Sequence, residues 1–153
     1  TPADRIGPGP IGLVVLLSTI AVLVVAVVVL GDSRRRRLRA DGPPARRVQA
    51  TWGLAVEDLQ AAGLRTAAVD TPAEVAARAG ELALVDPADT TGLAAAVTAA
   101  RWAPEGISEQ GAAAAAEVGT RLERAVAARL PTGRRWARRL DPRRLWRRPG
   151  GRA

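Results

Sequence analysis

Residues 11–40 read IGLVVLLSTIAVLVVAVVVLGDSRRRRLRA, and the composition of this stretch changes sharply after Leu30. Residues 11–30 contain no charged side chain, whereas five of the next nine residues are arginine. An α-helix of about 20 residues is roughly 30 Å long, which matches the hydrocarbon thickness of a bilayer. In lipid the backbone must satisfy its own hydrogen bonds, so even a valine-rich run is expected to be helical there. The pattern predicts a transmembrane helix over residues 11–30.

Two other interpretations of this apolar run fit the sequence poorly. A secretory signal peptide has a basic start, a shorter apolar core and a small-x-small cleavage site, whereas here the basic residues follow the run. A buried helix of a soluble core would be shorter or would carry a polar stripe. We therefore expect a single-pass protein of the cell membrane.

The arginines after the run predict its orientation, because positively charged segments flanking a membrane helix stay cytoplasmic. The opposite flank, TPADRIGPGP, is neutral overall and rich in proline and glycine. We expect residues 1–10 to be an extracytoplasmic linker, residues 31–42 to be a basic juxtamembrane segment, and everything beyond Leu30 to be cytoplasmic. The residues expected to bind the anionic inner leaflet here are Arg34, Arg35, Arg36, Arg37 and Arg39.

The residue types that are missing exclude several kinds of chemistry within this chain. Its 153 residues include no Cys and no His, and all 23 basic residues are arginine. The chain cannot build a Ser–His–Asp or Cys–His site, and a zinc site would need carboxylates alone. We expect a protein that is not an enzyme and that holds no metal or cofactor. Because the chain begins at Thr1 rather than Met, we also expect it to be part of a longer protein.

The net charge of +8 is unevenly distributed along the chain. Residues 31–48 carry +5, residues 49–131 carry −5, and residues 132–153 carry +8. An acidic domain is therefore expected between two basic segments, and strongly basic segments favour anionic partners such as lipid headgroups or nucleic acid.

Helical periodicity predicts an all-α fold, with a small helical cytoplasmic domain over residues 43–131 and a thin, alanine-rich core. Pro43 and Pro44 suit the start of its first helix, and Gly63 followed by Leu64 suits a left-handed stop. Gly53 is expected to permit close approach by a neighbouring helix. One face of this helix is expected to carry Val48, Trp52, Val56 and Leu59.

The sequence TPAE, residues 71–74, is the clearest start signal in the chain. Thr71 and Glu74 can form a capping box, and Pro72 stands at the first helical position. This second helix is expected to stop at Gly80. The apolar stretch LALV, residues 82–85, has no apparent partner strand, so we favour a packed connection over a strand.

Two further helices are predicted before the basic tail. Asp89 or Thr90 is expected to cap the third helix, which ends at Trp102. Ser108 is expected to cap the fourth, which Pro131 ends. Their inward-facing residues are expected to include Leu93, Val97, Val118, Leu122, Val126 and Leu130.

The order of these features resembles a family of domains. A membrane helix is followed by arginines, a helix bearing a tryptophan, the TPAEVAAR start and ARWAPEG at residues 100–106. Together, over residues 11–130, they resemble the C-terminal domain of unknown function that often closes transglutaminase-like membrane proteins of high-GC bacteria. The matching residues are Trp52, Leu59, Gly63, Thr71, Pro72, Glu74, Arg101 and Pro104.

The resemblance implies a part of a larger protein rather than a reaction. In such proteins the catalytic Cys, His and Asp belong to an extracytoplasmic domain that precedes the last membrane helix. This chain has neither Cys nor His, so none of that chemistry carries over. Trp102 departs from the family, which more often has tyrosine at that position.

Two clusters in the acidic domain are candidate sites. Arg101, Trp102 and Glu105 can form a docking patch for a protein partner, although a helix end with Trp102 in the core is the interpretation we favour. The carboxylates Glu57, Asp58, Glu117 and Glu123 can be imagined as catalytic pairs, but at helical spacing solvated faces are the favoured interpretation.

The tail, residues 132–153, combines nine arginines with two tryptophans. Tryptophan favours the headgroup zone of a bilayer, and arginine is attracted to anionic lipid. We therefore expect binding to the membrane surface, while a disordered solvated segment and an RNA-binding segment remain open alternatives. The residues expected to bind are Arg134, Arg135, Trp136, Arg138, Arg139, Arg143, Arg144, Trp146, Arg147 and Arg148.

The sequence thus predicts a membrane-anchored interaction or scaffold module that is not an enzyme. Its expected partners are a bilayer with an anionic inner leaflet and a protein in the membrane or cytoplasm. The alternative hypothesis is a membrane-tethered nucleic-acid-binding protein that uses the arginine-rich tail.

Overall fold

The structure is a computed structural model, and it describes residues 10–83, 85–131 and 133. Every regular element among them is helical, which confirms the predicted all-α class. The elements are α1 (Pro10–Ala40), α2 (Pro44–Ala61), α3 (Pro72–Glu81), α4 (Pro87–Trp102), a 3₁₀ turn (Pro104–Gly106) and α5 (Glu109–Arg129).

Helix α1 is longer than the predicted transmembrane helix. It runs for 31 residues and includes both the apolar segment, residues 11–30, and the basic segment, residues 31–40. Large side chains of the apolar segment are exposed along most of its length. Within the described part of the chain, this helix is long and apolar enough to cross a membrane. The basic segment is therefore a continuation of the same rigid helix rather than a separate connection.

Helices α1 and α2 form an antiparallel hairpin. Gly42 adopts a left-handed φ of 93°, and Pro43 and Pro44 then start α2, as the sequence predicted. The opposite end of α2 stops at Gly63, whose φ is 110°. There the amide of Gly63 donates to Gln60 O and that of Leu64 donates to Leu59 O, both at 3.0 Å, which is the Schellman arrangement.

The capping box of α3 forms as predicted. The amide of Glu74 donates to Thr71 Oγ1 at 3.3 Å, and the amide of Thr71 donates to Glu74 Oε2 at 2.7 Å. The prediction that this helix stops at Gly80 is wrong, because α3 continues to Glu81 with Leu82 as its cap. Gly80 instead packs near Pro87, where α3 and α4 meet.

The predicted cap of α4 is also wrong. Asp86, rather than Asp89 or Thr90, accepts from the amide of Ala88, and Pro87 then occupies the first helical position. Proline has no amide hydrogen to lose and its φ suits the first turn, so the helix begins there. Ser108 caps α5 as predicted, by accepting from the amide of Gly111 at 3.0 Å.

The core lies between α2, α4 and α5, with α3 packed on α4 and the basic segment of α1 packed on α2. Helices α2 and α5 approach most closely where a Cβ at Gly119 would overlap the Thr51 Cγ2 methyl group. The close helix approach through glycine therefore occurs at Gly119 rather than at the expected Gly53. The large apolar residues that are at most 2% exposed are Val48, Leu59, Leu93, Leu122 and Val126.

Candidate functional site: an ionic clamp between the apolar helix and the bundle

Arg35 joins the basic segment of α1 to two other helices. Its Nη2 donates to Asp58 Oδ1 at 3.1 Å and its Nη1 donates to Asp58 Oδ2 at 3.2 Å, so the pair is bidentate. Nη1 also donates to Glu123 Oε1 at 3.3 Å. One guanidinium group therefore connects α1 with α2 and α5.

Arg39 lies one turn farther along α1 and strengthens the same connection. Its Nη2 donates to Glu123 Oε2 at 2.9 Å and its Nη1 donates to the Thr120 hydroxyl at 3.2 Å. Arg47 of α2 donates in turn to the carbonyl of Arg39 at 3.2 Å. We call Arg35, Arg39, Asp58 and Glu123 the ionic clamp.

The clamp is partly removed from water. The side chain of Asp58 is only 1% exposed, and those of Arg35 and Arg39 are 16% and 14% exposed. A buried carboxylate is tolerated when a fixed guanidinium compensates its charge, and a bidentate pair is the strongest such arrangement. Asp58 therefore depends on α1 for its counter-charge.

This geometry corrects the interpretation of the carboxylates as solvated faces. Asp58 is buried, Glu57 and Glu123 are half-buried, and Glu117 is exposed. In the sequence, this contact was indicated by the spacing of Arg35 and Arg39, which are four residues apart and therefore lie on one helix face. No local pattern relates Arg35 to Asp58, which is 23 positions away. The same holds for Glu123, which is 88 positions from Arg35 and 84 from Arg39.

The five arginines predicted to bind lipid do not share one environment. Arg35 and Arg39 face the bundle, Arg34 is half-buried, and Arg36 and Arg37 are exposed. Helical geometry separates them, because neighbouring residues point about 100° apart. Lipid binding by this run stays a prediction, and within it Arg36 and Arg37 are the arginines with free access to a surface.

Helix α4 ends at Trp102 as expected, but Trp102 does not fill the core, so that part of the favoured interpretation of the cluster of Arg101, Trp102 and Glu105 is wrong. Its side chain is 81% exposed at the end of α4, and Arg101 and Glu105 beside it are exposed as well. The core positions of this helix are taken by smaller residues such as Val97 and Ala100. An aromatic side chain exposed between opposite charges suits a contact with another molecule.

Other ion pairs hold the outer part of the bundle together. The amide of Ala67 and the guanidinium of Arg78 both donate to Asp70 and lower its pKa. The Thr71 amide and hydroxyl lower the pKa of Glu74. Arg121 binds Asp89, with Nη2 to Oδ1 at 2.7 Å, and this contact raises the pKa of Arg121.

The predicted tail site, from Arg134 to Arg148, lies outside the described residues, as does Leu84 of the LALV stretch. Among the described residues, no group of three or more carboxylates is placed to hold a metal ion. Leu82 and Ala83 form a turn rather than a strand.

Over the described residues, these features define the class of the molecule: an all-helical fold in which one helix of membrane-spanning length is clamped to a small bundle. Comparisons with protein-family models, with curated proteins and with solved structures found no match to this chain. The resemblance to the transglutaminase-associated domain therefore stays a prediction.

Proposed function

We propose that this protein is a membrane-anchored interaction module in which α1 crosses the cell membrane and holds the helical bundle at a defined orientation on the cytoplasmic side. One observation carries the proposal: a single helix includes the apolar segment and both arginines of the ionic clamp. A flexible linker would let the bundle rotate freely, whereas a continuous helix transmits its position and angle.

The ionic clamp supports a role in which movement of α1 is coupled to movement of the bundle, in addition to tethering it. Three ion pairs connect α1 to α2 and α5 within a partly dehydrated region, where charge pairs are screened less than on the surface. A tilt or rotation of α1 would have to break these contacts or move the bundle with it.

The exposed patch of Arg101, Trp102 and Glu105 is the proposed docking surface for a protein partner. It lies at the end of the bundle away from the apolar segment, since Ala100 of α4 accepts from Gln49 near the start of α2. Tryptophan and arginine contribute strongly to protein interfaces because they bury large areas and retain polar contacts.

The resemblance noted above leads us to place the module at the C-terminal end of a bacterial envelope protein of the transglutaminase-like type. A second candidate function is nucleic-acid binding by the tail, which the nine arginines and two tryptophans of residues 132–153 favour. RNA retention at physiological salt by the full chain, lost when Trp136 and Trp146 are replaced by Ala, would support it over the lipid-binding alternative.

Membrane insertion and orientation are tested with the full chain. A reporter that works only in the cytoplasm should be active when it is fused after Ala153, and one that works only outside should be inactive. The chain should also resist extraction by alkaline carbonate. Replacing Val22 and Val25 with Arg should release the chain, because each charge at the centre of a bilayer costs roughly 3 kcal/mol. Replacing the same residues with Leu is the control and should leave it inserted. An active external reporter would contradict the orientation.

Docking is tested by a photo-crosslinking residue at position 102. In membranes from the native host it should form a discrete covalent adduct with a protein. The control position is Val69, which is 88% exposed in the loop before α3. Equal adducts at both positions would indicate chance contact and contradict the docking surface.

A further inference from the structure

The directions of α1, α2 and α5 decide which arginines of the bundle lie near the apolar segment. The hairpin makes α2 antiparallel to α1, so the C-terminal end of α2 lies toward the apolar segment. Helix α5 is parallel to α2, because Arg47 binds Glu109 near its start while Asp58 and Glu123 share Arg35 near their ends. The C-terminal end of α5 therefore also points toward the apolar segment.

Helix rise then gives the level of each residue relative to Leu30. Arg35 lies five residues after Leu30, which is about 7.5 Å along α1. Arg129 lies six residues beyond Glu123, the partner of Arg35, which is about 9 Å along α5 in the direction of the apolar segment. The end of α5 thus reaches the level at which the apolar segment ends.

Four exposed arginines of α1 and α5 occupy this end of the molecule. Arg36 and Arg37 project from α1 on the side away from the clamp, and their side chains lean toward the helix N-terminus and so toward the apolar segment. Arg124 and Arg129 are exposed on the last turns of α5. We call these four residues the basic rim.

The carboxylates at the same level leave the basic rim positive. Asp58 and Glu123 are bound by Arg35 and Arg39, and Glu57 is half-buried. Glu81 is the last residue of α3 and Asp86 is the cap of α4, and α3 packs on α4 rather than on α1. By forming the clamp, the protein neutralises Asp58 and Glu123. Asp32, exposed on α1 one turn before Arg36, offsets one of the four positive charges of the rim and leaves the rim positive overall.

We propose that the basic rim is a binding surface for the anionic headgroups of phospholipids in the leaflet that faces the bundle. The proposal rests on the proposed insertion of α1, and it adds Arg124 and Arg129 of α5 to the lipid contact. Once α1 is inserted, all four guanidinium groups lie at or just below headgroup level. Arginine stems can lie along apolar surface while their charged ends reach phosphate oxygens.

The test uses the full chain in lipid nanodiscs of mixed phosphatidylcholine and phosphatidylglycerol. The readout is the association of spin-labelled phosphatidylglycerol relative to spin-labelled phosphatidylcholine, measured by electron paramagnetic resonance. Replacing the nine tail arginines with Gln in every variant removes their contribution. In this background the parent should prefer phosphatidylglycerol, and Arg124→Gln with Arg129→Gln should lower that preference by roughly fivefold for each arginine removed.

Two further variants make the result specific. Arg46→Gln removes a charge from an exposed position at the opposite end of the bundle and should leave the preference unchanged. Arg124→Lys with Arg129→Lys keeps the charge and should retain most of the preference. An unchanged preference in the Gln variant, or an equal loss in the opposite-end control, would overturn the proposal. Carbonate extraction of the same variants from cell membranes reports insertion separately, so a chain that is not inserted contradicts the proposed function instead.

Discussion

At the scale of single residues, the closest helix contact in the bundle depends on a missing side chain. Gly119 faces Thr51 so closely that a Cβ would overlap the threonine methyl group, while the Thr51 hydroxyl donates to the Arg47 carbonyl at 2.9 Å. Glycine normally weakens a helix by roughly 0.5–1 kcal/mol relative to alanine. Its presence in the middle of α5 is explained by the approach of α2.

We predict that Gly119→Ala destabilises the protein in spite of its better helix propensity. Overlap with a packed neighbour costs roughly 1–3 kcal/mol, which exceeds the gain in propensity. Urea unfolding in detergent should show the loss. Adding Thr51→Ser removes the Cγ2 methyl group but keeps the hydroxyl, so it should restore most of the stability. A double variant no more stable than Gly119→Ala would contradict this account of the contact.

At the scale of an element, α3 is held at its start by carboxylates whose charged forms the fold favours. Thr71 lowers the pKa of Glu74, and Ala67 with Arg78 lowers that of Asp70. An unfolded chain then binds more protons than the folded one as the pH falls below the ordinary values of 4.5 and 3.8. Stability contributed by these groups is present above that range and is lost as the pH falls through the folded pKa values.

We predict a loss of stability between about pH 5 and pH 3 that depends on this cap. Glu74→Gln should make the decline with falling pH shallower, whereas Glu81→Gln, at the other end of α3, should not. Thr71→Ala should cost roughly 1 kcal/mol at neutral pH, as removal of a helix cap does. Thermal unfolding followed by circular dichroism across this range measures both effects. Parallel pH profiles for the parent and Glu74→Gln would contradict the prediction.

At the scale of the whole molecule, the ionic clamp makes the apolar helix part of the folded bundle. The sequence predicted a domain over residues 43–131, yet Asp58 and Glu123 of that domain take their counter-charges from residues 35 and 39. The folded unit therefore begins within α1. An isolated fragment that starts at Pro43 would lack both arginines.

We predict that Arg35→Ala destabilises the full chain far more than Arg36→Ala. Removing one partner of a buried pair costs roughly 3–5 kcal/mol, and the partial exposure of Arg35 reduces this to roughly 2–3 kcal/mol. Arg36 is exposed, so its replacement should change stability by less than about 0.5 kcal/mol. Denaturant unfolding in detergent micelles compares the two. Similar values for both variants would show that the clamp contributes little.

Much of the fold could be predicted because its signals are local. The capping box of Thr71 and Glu74, the stop at Gly63 and the cap at Ser108 each involve residues within five positions of one another. The error at the start of α4 occurred where two local signals compete. Asp86 and Asp89 are both candidate caps for the start of α4. Pro87 favours Asp86, because proline suits only the first turn of a helix.

The sequence by itself determined the helical class, the membrane-length apolar helix and most helix ends, because each depends on composition or on hydrogen bonds between near neighbours. Only the tertiary structure decided that Asp58 is buried, that Arg35 and Arg39 turn away from Arg36 and Arg37, and that Trp102 is exposed. The physical reason is that burial and charge pairing depend on which helices pack together. Arg35 and Glu123 are 88 positions apart, and no short-range pattern relates them.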